Sequence, residues 1–316
     1  MQPCRVRGGG HCWIVERGPA DEKGLRTVSR PRSGPTVALR LFASELRARR
    51  ETAGFTLEAA AAALGVHEMT LSRLELARTA PRRATVGHLL HLYGTPDAEA
   101  ETVLASLEEV RRPGWWHPYR DILPDHLAGV IDLESAASLI RTYAPGVVPE
   151  LLQTPGYARA LLELRHPRAD AEEICRRLRL LEERQRHTVH RADRPVRLWA
   201  LVEDVVLERV IGSREVMAEQ LAHLDRFTVH RGAVTLQVIP ATAGQHPLLL
   251  SGSADILRYP HRQLADRLIV RGLHPEASTV TEDQGAVLAY LAAMDATAAL
   301  APPPTTRIRT GKDSPS

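Results

Sequence analysis

The segment from Leu57 to Leu74 restricts the fold most, because a small residue at Ala61, a glycine at Gly65 and apolar side chains at Leu64, Val66, Leu71 and Leu74 keep fixed offsets. A side chain no larger than Ala61 lets a second helix cross close to the first, Leu64 fills the angle between the two, and Gly65 supplies a left-handed turn residue. Val66, Leu71 and Leu74 then bury the inner face of the second helix. Thr56 stands where the first helix needs an N-cap. An alanine-rich hairpin in any helical bundle shares parts of this pattern but not the whole conjunction. The spacing predicts a helix-turn-helix, and hence a DNA-binding module.

The surrounding sequence extends the helical reading. From Val37 to Leu92 the period is helical and punctuated by Gly54, Gly65 and Gly94; it continues from Asp97 to Arg111 and breaks at Pro113-Gly114. Further on, helices are expected over about 126–143, 155–165, 170–191, 203–211, 213–230 and 282–299. Strand-like runs occupy 196–202, 234–239, 254–259 and 268–270. The fold class is therefore α+β: an all-α helix-turn-helix domain at 36–111, then a larger, mainly helical domain with a small β-sheet at 112–300. Residues 1–35 and 301–316, rich in Gly, Pro, Arg and Ser, read as disordered tails.

Composition narrows the setting. A chain of 316 residues with 44% hydrophobic and 25% charged residues has material for two cores. Its apolar runs, such as Leu248-Leu249-Leu250, are far shorter than the roughly 20 residues of a membrane span. Gly8-Gly9-Gly10 interrupts anything resembling a signal peptide, so a cytoplasmic protein with no membrane partner is expected. Cys4, Cys12 and Cys175 are too few for a disulfide framework, and Cys4, His11 and Cys12 lack a fourth ligand at metal spacing. Lysine occurs only at Lys23 and Lys312; this arginine bias is explained by GC-rich codon usage and does not by itself argue for nucleic acid.

Over about residues 36–94 the chain resembles the Cro/repressor-like, xenobiotic-response-element (XRE) class of helix-turn-helix proteins. The strings are Leu46-Arg-Ala-Arg-Arg50, Ala53-Gly54-Phe55-Thr56, Leu64-Gly65-Val66, Leu71-Ser-Arg-Leu-Glu75, and Arg78 before Pro81. The resemblance implies that the second helix enters the major groove. His67, Glu68, Met69, Ser72 and Arg73 then face bases, and Arg49, Arg50, Arg78, Arg82 and Arg83 contact phosphates. It also implies double-stranded DNA as partner and a homodimer, since one module covers only a half-site. Leu57 departs from the glutamine usual in that class, and Glu68 brings a negative charge towards DNA. Sequence typical of the class begins near Val28-Ser29, so residues 1–27 are expected to be dispensable for DNA binding.

Much of 110–300 resembles the domain of unknown function that follows such modules in many actinomycete regulators, a group likened to antitoxins of the Scr and WhiJ type. Carrying strings are Trp115-Trp116 with Tyr119, Arg141-Thr-Tyr143, Val148-Pro-Glu-Leu-Leu-Gln-Thr-Pro155, Glu183-Arg184-Gln185 and Gln237-Val238-Ile239-Pro240. Glu150 stands where a glycine is usual, and Val270-Arg271 replaces an aromatic-plus-Glu pair. The resemblance implies a small protein partner or another effector, and Leu151, Leu152 and Gln153 are the expected partner-binding residues. An antitoxin-like module with secondary, autoregulatory DNA binding is the alternative. Trp115, Trp116 and Tyr119 read chiefly as an anchor between domains.

Catalysis is not expected. Glu203-Asp204 is a paired carboxylate, and His117, His126, His166 and His246 are acid–base groups in principle, but no metal-spaced histidines, nucleophile elbow or phosphate-cradling glycine loop accompany them. No cofactor and no metal are expected. The sequence thus predicts a homodimeric, sequence-specific transcriptional regulator.

Overall fold

A computed structural model describes residues 36–123, 125–229, 232–260, 264–272 and 277–304, all within one compact unit, Ser33–Ser316. Cys4, His11, Cys12 and most of the expected tails lie outside the described residues.

Five helices come first: α1 (Val37–Thr52), α2 (Leu57–Leu64), α3 (Glu68–Glu75), α4 (Arg83–Leu92) and α5 (Asp97–Val110). They enclose their own core, built on Phe42, Leu46, Ala60, Ala61, Leu71, Leu74, Leu89 and Leu107. The α2–α3 corner follows the sequence reading closely. The Thr56 side chain accepts from the Ala59 N–H to cap α2, and Gly65 ends that helix at φ 67°, a conformation costly for any residue with a Cβ.

The second part contains α6 (Asp125–Ala136), β1 (Leu139–Ala144), α7 (Pro155–Arg165), α8 (Ala171–His187), β2 (Arg197–Glu203), α9 (Val205–Glu208), α10 (Arg214–Val229), β3 (Val234–Ile239), β4 (Ala254–Arg258), β5 (Arg267–Val270), β6 (Thr279–Thr281) and α11 (Gln284–Ala298). The α+β class holds. The six strands form one mixed sheet in the order β3-β2-β1-β4-β5-β6. The β1, β2 and β3 strands are parallel, and β4, β5 and β6 run antiparallel to their neighbours. Side chains alternate across it: Ile140, Ala144, Leu198 and Ala200 face a core shared with Leu152, Tyr157, Met217 and Leu224, whereas Tyr143, Leu201 and Ile256 face α11 through Val287 and Met294.

Two elements differ from the sequence expectation. The helix expected over 126–143 stops at Ala136, and β1 follows as a central strand whose residues from Ile140 to Ala144 are all buried. A strand buried on both faces shows no polar/apolar alternation, which is why its pattern was indistinguishable from a continuing helix. The helix expected over 203–211 shrinks to the single turn of α9.

Pro113-Gly114 separates two cores, and the join beyond it is packed. Trp116 is buried with Leu123, Ala128, Ile131 and Leu180; Trp115 stacks on His187 at 4.5 Å between ring centres and donates from Nε1 to Ser135 Oγ. Both tryptophans thus pack on residues of the second domain, and these contacts do not carry the expected anchor between domains. From the other side, Val37 of α1 is buried in the sheet-facing core, and its N–H donates to Asp132 of α6.

Burial pushes the Asp132 carboxyl from its ordinary 3.8 up to about 6, outweighing the Val37 hydrogen bond and nearby Arg40. The folded chain thus keeps this proton in a window, roughly pH 4 to 6, where the unfolded chain has lost it, so this group's contribution to stability falls as pH rises through that window and is flat above it. Asp132→Asn retains an acceptor and removes the titration. Relative to the unsubstituted chain, its unfolding free energy is expected to improve by about 3 kcal/mol between about pH 4 and pH 7. Denaturant unfolding at both pH values checks this, and a difference that does not change with pH would contradict it.

Candidate nucleic-acid interface and C-terminal cavity

Helix α3 is fixed by its inner face and free on its outer one. Leu71 and Leu74 are buried, while Met69 is 55% exposed and Glu68 and Arg73 also face solvent; Ser72 is half-buried. His67 is the N-cap residue, and its Nδ1 accepts from the Met69 N–H at 3.2 Å. A neutral ring that accepts at Nδ1 carries its proton on Nε2, so His67 can cap the helix and still offer an outward donor. Glu68 lies in the first turn, where the helix dipole favours a negative charge. After α3 the chain turns sharply at Ala77, whose φ of 56° is unusual for a residue with a Cβ. Arg78 and Arg82 follow on the exposed surface.

The five phosphate candidates separate by their partners. Arg78 and Arg82 are exposed, with no ion pair among the described residues, and the base-facing candidate Arg73 is likewise exposed. Arg83 leans on α5, donating to the Leu104 carbonyl at 3.0 Å and approaching Glu101 at 3.4 Å. Arg49 is held by Glu45 at 2.7 Å and Glu99 at 2.8 Å.

Arg50 departs from its expected role. Its Nε and Nη2 donate to the two carboxylate oxygens of Glu75 at 2.8 and 3.0 Å, and Nη1 donates to the Phe55 carbonyl. Both side chains are buried, so Arg50 ties α1 to the end of α3 and does not reach phosphate. No local pattern announces a pair separated by 25 positions.

The C-terminal part concentrates charge in its interior. Arg184 of α8 makes a fork with Glu134 of α6, with contacts of 3.0 to 3.2 Å, and reaches Glu150 at 2.7 Å. Arg271, just beyond β5, donates to Asp255 of β4 at 2.6 Å and lies 3.3 Å from Glu134 and 3.4 Å from Glu150. Arg165, at the end of α7, completes the group at 3.1 Å from Glu150. Burial works to raise the Glu150 carboxyl, but the guanidiniums of Arg184, Arg271 and Arg165 outweigh it and hold it well below the usual carboxylate range. Glu150 and Arg271, the two departures noted in the sequence, meet here.

Two cavities, each of about 120 Å³, flank the Glu150–Arg271 pair. One has leucine walls from α6, α7 and α8. The other lies against β1 and β4 and is lined by Glu134, Thr142 and Asp255.

Leu151 and Leu152, two of the expected partner-binding residues, are not presented on the surface. Leu151 and Leu152 are 6% and 0% exposed and belong to the main core, because the short turn Glu150–Leu152 tucks both inward. Gln153 is also buried; it donates to the Val148 carbonyl at 2.6 Å and lines both cavities.

Among the acid–base candidates the structure brings Glu203 and His246 together. Glu203 accepts from the Tyr143 hydroxyl at 2.8 Å and lies 3.2 Å from His246 Nε2. Asp204 accepts the Ala241 N–H, His117 lies against Arg120 and His166 borders the leucine-walled cavity; the side chain of His126 lies outside the described residues. Among the described residues no three potential ligands cluster as a metal site, and no helix is long and apolar enough to cross a membrane.

The Arg50 assignment is testable through stability. Arg50→Ala leaves Glu75 charged and buried, and is expected to cost about 3–5 kcal/mol in unfolding free energy. Arg82→Ala should stay within about 0.5 kcal/mol of the unsubstituted chain. Equal stability of the two variants in urea would contradict the assignment.

Comparison with protein-family models matches two parts of the chain. Residues 41–103 match a helix-turn-helix domain family, and residues 127–309 match the domain of unknown function DUF5753. No curated protein and no solved structure shows a significant match. With its helix-turn-helix packed as a DNA-binding module and the greater part of its length matched by the second model, the chain belongs to the DUF5753 family.

Proposed function

We propose that this protein is a sequence-specific transcriptional regulator of the XRE type, cytoplasmic and non-enzymatic, that binds double-stranded DNA as a homodimer. The observation that carries the reading is the two-sided character of α3: its leucines are locked in a core while Glu68, Met69 and Arg73 are presented to solvent. On this reading α3 lies in the major groove. Arg73 donates to guanine O6 and N7, Glu68 accepts from a cytosine amino group, Met69 touches a thymine methyl, and His67 and Ser72 complete the base-facing set. Arg78 and Arg82 hold phosphates, with Arg49 and Arg83 free to join by exchanging their surface glutamates for phosphate oxygens.

The C-terminal domain is then the receiving half, taking a small protein partner or another effector. With Leu151 and Leu152 in the core, no surface observation favours the antitoxin-like reading over this one.

The test is selection of a binding site from random double-stranded DNA by the full chain, followed by titration of variants. Arg73→Ala is expected to lose about 1–3 kcal/mol on the selected site and to relax preference at one base pair, whereas Arg82→Ala weakens selected and scrambled DNA alike. Equal losses for both variants on both DNAs would overturn the contact assignment. Selection that enriches no sequence would overturn the function.

A further inference from the structure

The leucine-walled cavity is bordered by unlike surfaces. Leu127 of α6, Leu161 and Leu162 of α7 and Leu181 of α8 line it and remain only half-buried. An apolar chamber of about 150 Å³ takes up a ligand the size of benzene, so a space of about 120 Å³ suits a tail of similar or slightly smaller size. On the polar side, the guanidiniums of Arg165, Arg177, Arg184 and Arg271 reach the lining, against a single carboxylate, Glu150. The acids that balance the others, Glu134, Asp255 and Glu173, pair with them from outside the lining.

Glu150 shows what this polar side accepts. Its carboxylate is already shared among Arg165, Arg184 and Arg271 at 3.1, 2.7 and 3.4 Å, and guanidinium forks match the two oxygens of a carboxylate. Arg165 makes one of these contacts through Nη1 and stands at the rim, with about a third of its side chain exposed.

We infer that this cavity is a ligand site for a small monocarboxylic acid with an apolar tail, the tail among the α6–α7–α8 leucines and the carboxylate on Arg165 beside Arg271. The site specifies the effector half of the function proposed above. Its consequence for DNA rests on that reading, while the binding itself does not. The route to DNA is short: α6 contributes Leu127 to the cavity wall, Glu134 to the ion network, and Asp132 to the N-terminus of α1.

Calorimetry and thermal unfolding of the full chain with hexanoate, 1-hexanol and inorganic phosphate test the site. Hexanoate is expected to bind saturably and raise the melting temperature; hexanol and phosphate are not. Arg165→Gln, at a partly exposed position, should melt close to the unsubstituted chain and bind hexanoate at least tenfold more weakly. Leu161→Phe, which fills the tail space and leaves the cations, should weaken it comparably. No saturable hexanoate binding, equal binding of hexanol, or unchanged affinity in both variants would overturn the site. Titration of the selected DNA with and without hexanoate separates the two readings: hexanoate binding by a chain that binds no DNA sustains the site and removes the regulator.

Discussion

Two acidic residues within one turn of α6, Asp132 and Glu134, join the parts of this molecule. Asp132 of α6 takes the first N–H of α1, and Glu134 takes the fork of Arg184 and the flank of Arg271. Burying a carboxylate is costly unless it is paired, so each fixes its surroundings. Asp132 fixes where the DNA-binding helices begin, and Glu134 fixes how α8 and the β4–β5 edge close over α6. The α1 and α6 helices are thus joined by a directed hydrogen bond as well as by apolar contact, and the helix-turn-helix is seated on the larger domain.

The same economy of charge explains the internal arginines. Arg50 with Glu75, and Arg184 with Glu134, are both forked pairs with little exposure. Neither is a strong source of net stability, because desolvation offsets most of the attraction; each makes an alternative packing expensive, since separating the partners leaves a bare buried charge. Arg50 thereby sets the angle of α3 relative to α1, which decides what α3 can present to a groove.

What was legible in the sequence was what depends on neighbours along the chain. The cap at Thr56, the left-handed Gly65 and the inward Ala61, Leu71 and Leu74 are local requirements of one corner, and they are found as expected. So are four strands and most of the later helices, whose periodicity stands in their own residues. What was not legible depends on distant partners. The central strand β1 is buried on both sides by elements far along the chain. Arg50 meets a glutamate on another helix, and Leu151 and Leu152 are covered from α8 and the sheet. The charge network draws on six residues between Glu134 and Arg271, no two of them at a motif spacing.

The central claim is that α3 reads a groove from a symmetric pair of modules. A hydroxyl-radical footprint of the full chain on its selected site addresses it most directly. Two protected patches centred about one helical turn apart, roughly 10 base pairs, and related by a two-fold axis are the result the account predicts. Uninterrupted protection that spreads along any duplex, or none, would contradict it.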